Sequence, residues 1–195
     1  WTYYSDTTCV DIYTYVPDDN FEQALINLGY DNVLDNLVLT TAIETVTNLN
    51  ISNASITDLT GIEDFMALEI LDCSNNNVES IELYDNGTLI ELNISNNDLS
   101  VVDVSGNPNL TTLNCSSNFL EDIDVLSNFI LSSLNCSSNS LTQLDISTNT
   151  ILTNLDCSFN QIESLDITSN TAVFCQFRRY FGSTRSISTP LRIGN

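Results

Sequence analysis

The stretch LNCSSNFL, Leu113–Leu120, recurs as LNCSSNSL at Leu134–Leu141 and as LDCSFNQI at Leu155–Ile162, each step being 21 residues. Moving outward, LNISNNDL begins at Leu92 and LDCSNNNV at Leu71, and a looser copy, LNISNASI, begins at Leu49, 22 residues before the first regular one. Every 21-residue unit also divides in two. From Leu141 the chain reads LTQLDISTNTI and then, from Leu152, LTNLDCSFNQI, both obeying L-x-x-L-x-(I/C)-x-x-N-x-(I/L). Apolar residues at positions 4 and 6 of this frame lie on one side of an extended chain, the period of a strand. The asparagine at position 9 ends the strand, because its short amide bonds to nearby backbone in a turn.

One such segment cannot bury its apolar side alone, but a stack of them can, with each strand paired to the one before at about 4.8 Å. The expected architecture is therefore mainly β: a solenoid with parallel strands on two faces, one from each half-unit. Two asparagine ladders follow, Asn76, Asn97, Asn118, Asn139 and Asn160 in one, and Asn86, Asn107, Asn128, Asn149 and Asn170 in the other. We divide the chain into an N-terminal segment and helical cap (1–45), repeats of about 21 residues (46–173) and a basic, aromatic C-terminal tail or cap (174–195).

This pattern resembles the bacterial leucine-rich repeats, specifically the short nested class called IRREKO repeats. The stretch YVPDDNFEQALINLGYDNVLDN, Tyr15–Asn36, is also similar to the cap that precedes such repeats in secreted proteins of the Bacteroidetes. In physical terms, Asp19 is the expected N-cap with Glu22 three residues on, and Gly29 suits the helix end. Phe21, Leu25 and Leu28 would share the face that closes the first turn.

Cys73, Cys115, Cys136 and Cys157 take position 6, where Ile94 stands in the one regular unit lacking cysteine. That exchange points to buried packing of a small apolar side chain; stacked disulfides and a four-thiolate metal site are the other readings. Cys9 and Cys175 stand outside the frame, free or paired with another thiol. After Val173 the frame breaks, since position 176 calls for a leucine-like residue and holds Gln. Phe174, Phe177, Tyr180 and Phe181 would then cover the last turn, or dock on another molecule.

The 195 residues contain 26 acidic side chains and four arginines, Arg178, Arg179, Arg185 and Arg192, with no lysine or histidine, giving a net charge of −22. Such a surface repels phosphate and anionic lipid, so nucleic acid and membrane surfaces are poor partners for the body, and no apolar run approaches the length of a membrane span, so no membrane insertion is expected. The usual nucleophile–base pairs, Schiff-base lysines and phosphate cradles have no residues to build them, so we expect no enzyme. The start at Trp1 without methionine reads as a mature or trimmed product.

The first face should present hydroxyls and amides: Asn93, Ser95, Thr112, Asn114, Ser116, Ser133, Asn135, Ser137 and Asn154. It is either a solvated sheet or a surface for a protein or glycan. The second face carries Glu82, Asp103, Asp124, Asp145 and Asp166 in a column. Neighbours about 5 Å apart repel by about 0.8 kcal/mol per pair in water, so this column is solvated or recruits calcium; no other cofactor is expected. The resemblance implies an extracellular or outer-surface recognition and adhesion module. The alternative is a structural subunit that binds copies of itself and stacks into fibres.

Overall fold

The computed structural model describes residues 12–176 and 186–188. A two-stranded antiparallel unit, β1 (Tyr13–Tyr15) with β2 (Leu37–Leu39), encloses helix α1 (Asp19–Leu28), and a one-turn helix α2 (Thr40–Ile43) leads into the repeats. Seven parallel strands then stack in order: β3 (Asn48–Asn50), β4 (Ile70–Asp72), β5 (Glu91–Asn93), β6 (Thr112–Asn114), β7 (Ser133–Asn135), β8 (Asn154–Asp156) and β10 (Phe174–Gln176). The position-4 leucines pair in register from Leu49 to Leu155. This is the mainly β solenoid the repeat predicts.

The second face departs from the expected sheet. Among the described residues its strands are confined to the C-terminal end, where β9 (Ser164–Asp166) pairs with β11 (Ser186–Ser188) of the next rung. Earlier second half-units keep the inward apolar side chains, Ile81, Leu83, Val102, Val104, Ile123 and Val125, buried, yet they run as turns. After position 5 each of these half-units closes tight turns such as Asn107 N–H to Val104 carbonyl (3.1 Å) and Leu110 N–H to Asn107 carbonyl (3.2 Å), and the half-unit of β9 closes the same pair at Asn170 and Val173.

The C-terminal end corrects the frame. Cys175 pairs with Leu155, a step of 20 residues, so the chain drops one residue and continues the sheet instead of leaving it. Phe174 therefore falls at an outward position and is 69% exposed, away from the core. Cys9, Phe177, Tyr180, Phe181 and all four arginines lie outside the described residues.

The N-terminal helix is capped by Asp18, one residue earlier than expected, because its extended backbone lets Oδ1 accept from the N–H groups of both Asn20 and Phe21 (2.9 Å each). Its Oδ2 accepts from the Thr57 N–H and hydroxyl and the Asp58 N–H, tying the helix to the first rung. Burial alone would raise the Asp18 carboxyl, but those bonds outweigh it and hold the group below its ordinary value. Phe21 and Leu25 are buried, Phe21 stacking on Phe65 at 6.4 Å, whereas Leu28 is 46% exposed, outside the closing face. Glu22 closes no capping box; it is buried, and Oε1 accepts from the Asp35 and Leu37 N–H groups. Gly29 ends the helix in the left-handed region at φ 85°, as expected.

Candidate functional site

The side chains expected on the first face are largely committed to their own backbone. Asn93, Asn114 and Asn135 each accept through Oδ1 from the hydroxyl of the serine two residues on, Ser95, Ser116 and Ser137, at 2.7 Å, and from its N–H. Asp72 and Asp156 hold the N–H groups of Ser74 and Ser158 in the same way. The serines are buried or half-buried in consequence. Such turns mark where each strand ends. Only position 3 keeps outward groups uncommitted to the turn: Thr112 and Ser133 half-buried, Asn154 exposed.

The cysteine slot is interior. Cys73, Cys115, Cys136 and Cys157 are buried thiols, and burial pushes Cys73 and Cys115 up to about 12. A thiol so far from its thiolate form is chemically inert. Ile94 is equally buried, so the exchange of Ile for Cys is one of packing.

The two asparagine rows differ. In the first, Asn118 donates to the carbonyls of Ile94 on the preceding rung (3.0 Å), Cys115 and Ser116, and accepts from the Leu99 N–H (3.1 Å). Asn97 and Asn160 repeat the arrangement, and Asn76 and Asn139 serve the same role. In the second row, Asn128 donates to the Val104 and Asn107 carbonyls (3.0 and 2.9 Å), and its Oδ1 is buried without a partner. Asn86, Asn107, Asn149 and Asn170 share that orphaned oxygen.

The acid column forms turns too. Asp103, Asp124, Asp145 and Asp166 accept the N–H two residues on, from Ser105, Leu126, Ser147 and Thr168, at 2.8–2.9 Å. The Ser105 hydroxyl and N–H hold Asp103 below its ordinary value, and the same two donors on Ser147 and on Thr168 lower Asp145 and Asp166. Glu82, one methylene longer, stands exposed in the same column. Among the described residues no group of three or more His, Cys, Asp or Glu side chains is arranged to hold a metal ion.

This second face is also furrowed. Depressions lie between successive rungs, one of about 330 Å³ between Asp58–Glu63 and Ser80–Asp85, and one of about 860 Å³ bounded by Val101, Phe119 and the carboxylates Asp103, Glu121, Asp122 and Asp124. A third, narrower one joins Tyr84 to Val101. The sequence reading overlooked Tyr84, Val101 and Phe119. The signal was available, since each stands at an outward position where most other rungs carry a polar residue.

Residues 88–128 match the model of a family described as leucine-rich repeats in two copies. The chain has the leucine-rich-repeat fold. It is similar to the functional domain of InlJ from Listeria monocytogenes, a structure described as including a cysteine ladder, at 32% identity over 91% of this chain and 46% of that one, with a TM-score of 0.66. The internalin InlF of Listeria monocytogenes shares the fold at 20% identity, covering 87% of this chain and 59% of its own (TM-score 0.74). A leucine-rich-repeat protein of Leptospira interrogans does so at 21% identity over 62% of this chain and 33% of that one, with a TM-score of 0.60. The chain thus spans about half the length of the two listerial structures. No curated protein matches the sequence. Leucine-rich-repeat folds of this kind are typical of protein-binding modules, and no helix among the described residues is long and apolar enough to cross a membrane.

Proposed function

We propose that this chain is a non-catalytic recognition module, displayed outside the cell, that binds another protein and serves adhesion. The observation that carries this reading is the rung-to-rung bonding. Main-chain and asparagine bonds repeat at every 21 residues, for instance Thr112 N–H and Thr111 N–H to the Ile90 carbonyl, and hold outward side chains in columns before any partner arrives. A pre-organised surface of this kind loses little entropy on binding. The likeness to the internalins supports the placement outside the cell, the nested half-units support the IRREKO class, and the Tyr15–Asn36 stretch supports a cap like that of secreted Bacteroidetes proteins. A glycan ligand is the weaker variant, because the first face spends its amides and hydroxyls internally and offers few aromatic rings to stack on a sugar.

The second reading is assembly into fibres. One observation favours it: β3 and β10 are the outer strands of the sheet, and outer strands are templates for further pairing. Parallel arrays of extracellular proteins and of glycans, probed with the purified chain, test the first reading. Saturable binding to a protein target is expected. Binding to neither array, with negative-stain images showing filaments, would transfer the role to assembly.

A further inference from the structure

Acidic side chains alone would make the second face a solvated one. What sets part of it apart is apolar surface left in water. Val101 is 72% exposed, Phe119 61% and Tyr84 76%. The rungs on either side hold Ser80, Asp122, Gln143 and Ser164 at the position of Val101, and Asn77, Asp98, Ser140 and Gln161 at the position of Phe119. These rows are thus polar everywhere else, and each single departure borders the same furrow of about 860 Å³. Tyr84 extends the surface through the adjoining depression that it shares with Val101.

The Tyr84 ring has its own provision. A Cβ at Gly106 would lie 3.0 Å from the Tyr84 Cα and 3.1 Å from Cδ2, so the glycine gives Tyr84 the space to lie across the neighbouring rung. Three apolar side chains clustered over two furrows are more than the scattered exposure normal for a protein surface.

Charge selects the occupant. The furrow is rimmed by Asp103, Glu121, Asp122 and Asp124, and residues 1–177 contain no lysine, arginine or histidine to neutralise them. An approaching arginine or lysine gains carboxylate partners at the rim and an aromatic face for its guanidinium or its methylene stem. The repeat body of a second copy, which holds no cationic side chain before Arg178, would meet these acids with acids of its own and is repelled.

We propose that the furrow bounded by Val101, Phe119, Asp103 and Asp122 is a docking surface for a basic polypeptide segment in which arginine or lysine alternates with apolar residues. This deepens the recognition reading by placing a site on the turn face and naming the chemistry of the partner. The acids steer the segment in and the apolar trio holds it, so association falls with salt while part of the affinity survives.

The test uses the full chain and a fluorescent peptide of repeated Arg-Phe-Arg-Gly, with Glu-Phe-Glu-Gly as control, followed by anisotropy. Binding of the arginine peptide only is expected, weakening as salt rises from about 50 to about 500 mM. The double variant Val101→Ser/Phe119→Ser, whose altered side chains are exposed and whose melting temperature should match the parent, is expected to weaken binding by about tenfold or more. Thr112→Ala on the strand face should leave it unchanged. Equal affinity of the double variant and the parent would overturn the proposal, leaving only diffuse attraction to a negative surface. A dimer seen by sedimentation and dispersed by the double variant, with no peptide bound, would overturn it in favour of a second copy. A protein target still held by the double variant but lost on strand-face substitution would overturn this placement while leaving the recognition role intact.

Discussion

The strand face and the turn face are built from nearly the same eleven-residue phrase, yet they use their asparagines differently. On the strand face a left-handed residue at position 8, such as Asn96 or Ser117 at φ 57° and 55°, turns the chain so that a neighbouring rung offers its N–H to the next asparagine. The amide is then used at both ends. On the turn face that left-handed residue is missing, and the asparagine donates twice while its oxygen is left without a partner. The comparison teaches that one residue type can be fully bonded in one row and half bonded in another, even though the half-bonded row is the more deeply buried, with the difference set by the backbone before it.

The largest effect should come from removing a strand-face amide. Asn118→Ala strips donors from buried carbonyls and the acceptor from the Leu99 N–H, and should cost about 4 kcal/mol in urea unfolding. Asn128→Ala on the turn face removes two donors but also an orphaned oxygen, and about 2 kcal/mol is expected. Equal losses would break the contrast and mean that the turn-face oxygen is bonded after all.

A smaller effect, of opposite sign, is expected at Phe159. It occupies the left-handed position at φ 56° where other rungs hold Asn or Ser, a conformation disfavoured for a bulky side chain by about 1 kcal/mol. Phe159→Asn should raise stability by about that amount, measured as a shift in thermal midpoint. No gain would show that contacts of the ring offset the strain.

The turn-face acids sharpen the contrast at lower energy. The Ser147 N–H and hydroxyl hold Asp145 below the ordinary 3.8. A depressed folded-state value contributes stability that is present above 3.8 and withdrawn as pH falls through the folded value. Ser147→Ala should move Asp145 back toward 3.8 in a carbon-13 titration and slightly reduce stability only on the neutral side of that range. An unmoved titration would reassign the shift to the backbone N–H alone. Smallest of all is the response to calcium. With the column carboxylates bonded to their own turns, the melting temperature in EDTA and in millimolar calcium should coincide, and a rise with calcium would restore the column as an ion site.

Much of the fold was legible because a solenoid reduces tertiary structure to a near-neighbour problem. Leu113 meets Leu92 and Leu134, residues one period away in either direction, so a repeating string displays its own contact map. The buried thiols followed from the same logic, once Ile94 appeared in their slot. The site was far less legible. Asn93, Ser95, Ser116 and Ser137 read as free polar groups in the sequence, but a side chain of the right length beside a turn satisfies its own backbone first, and periodicity does not reveal that competition. Tyr84, Val101 and Phe119 broke the pattern in different half-unit positions, so their proximity was invisible until rungs were stacked.

The sequence by itself determined the period, the inward residues and the two rows of amides, because each depends on residue type at a fixed spacing. Only the tertiary structure decided which face is sheet and which is turn, that Asp18 rather than Asp19 holds the cap, and that Cys175 recovers the register by a one-residue slip. Those outcomes hinge on which of several available acceptors a backbone N–H reaches, and that is settled by distances between rungs, which no single rung encodes.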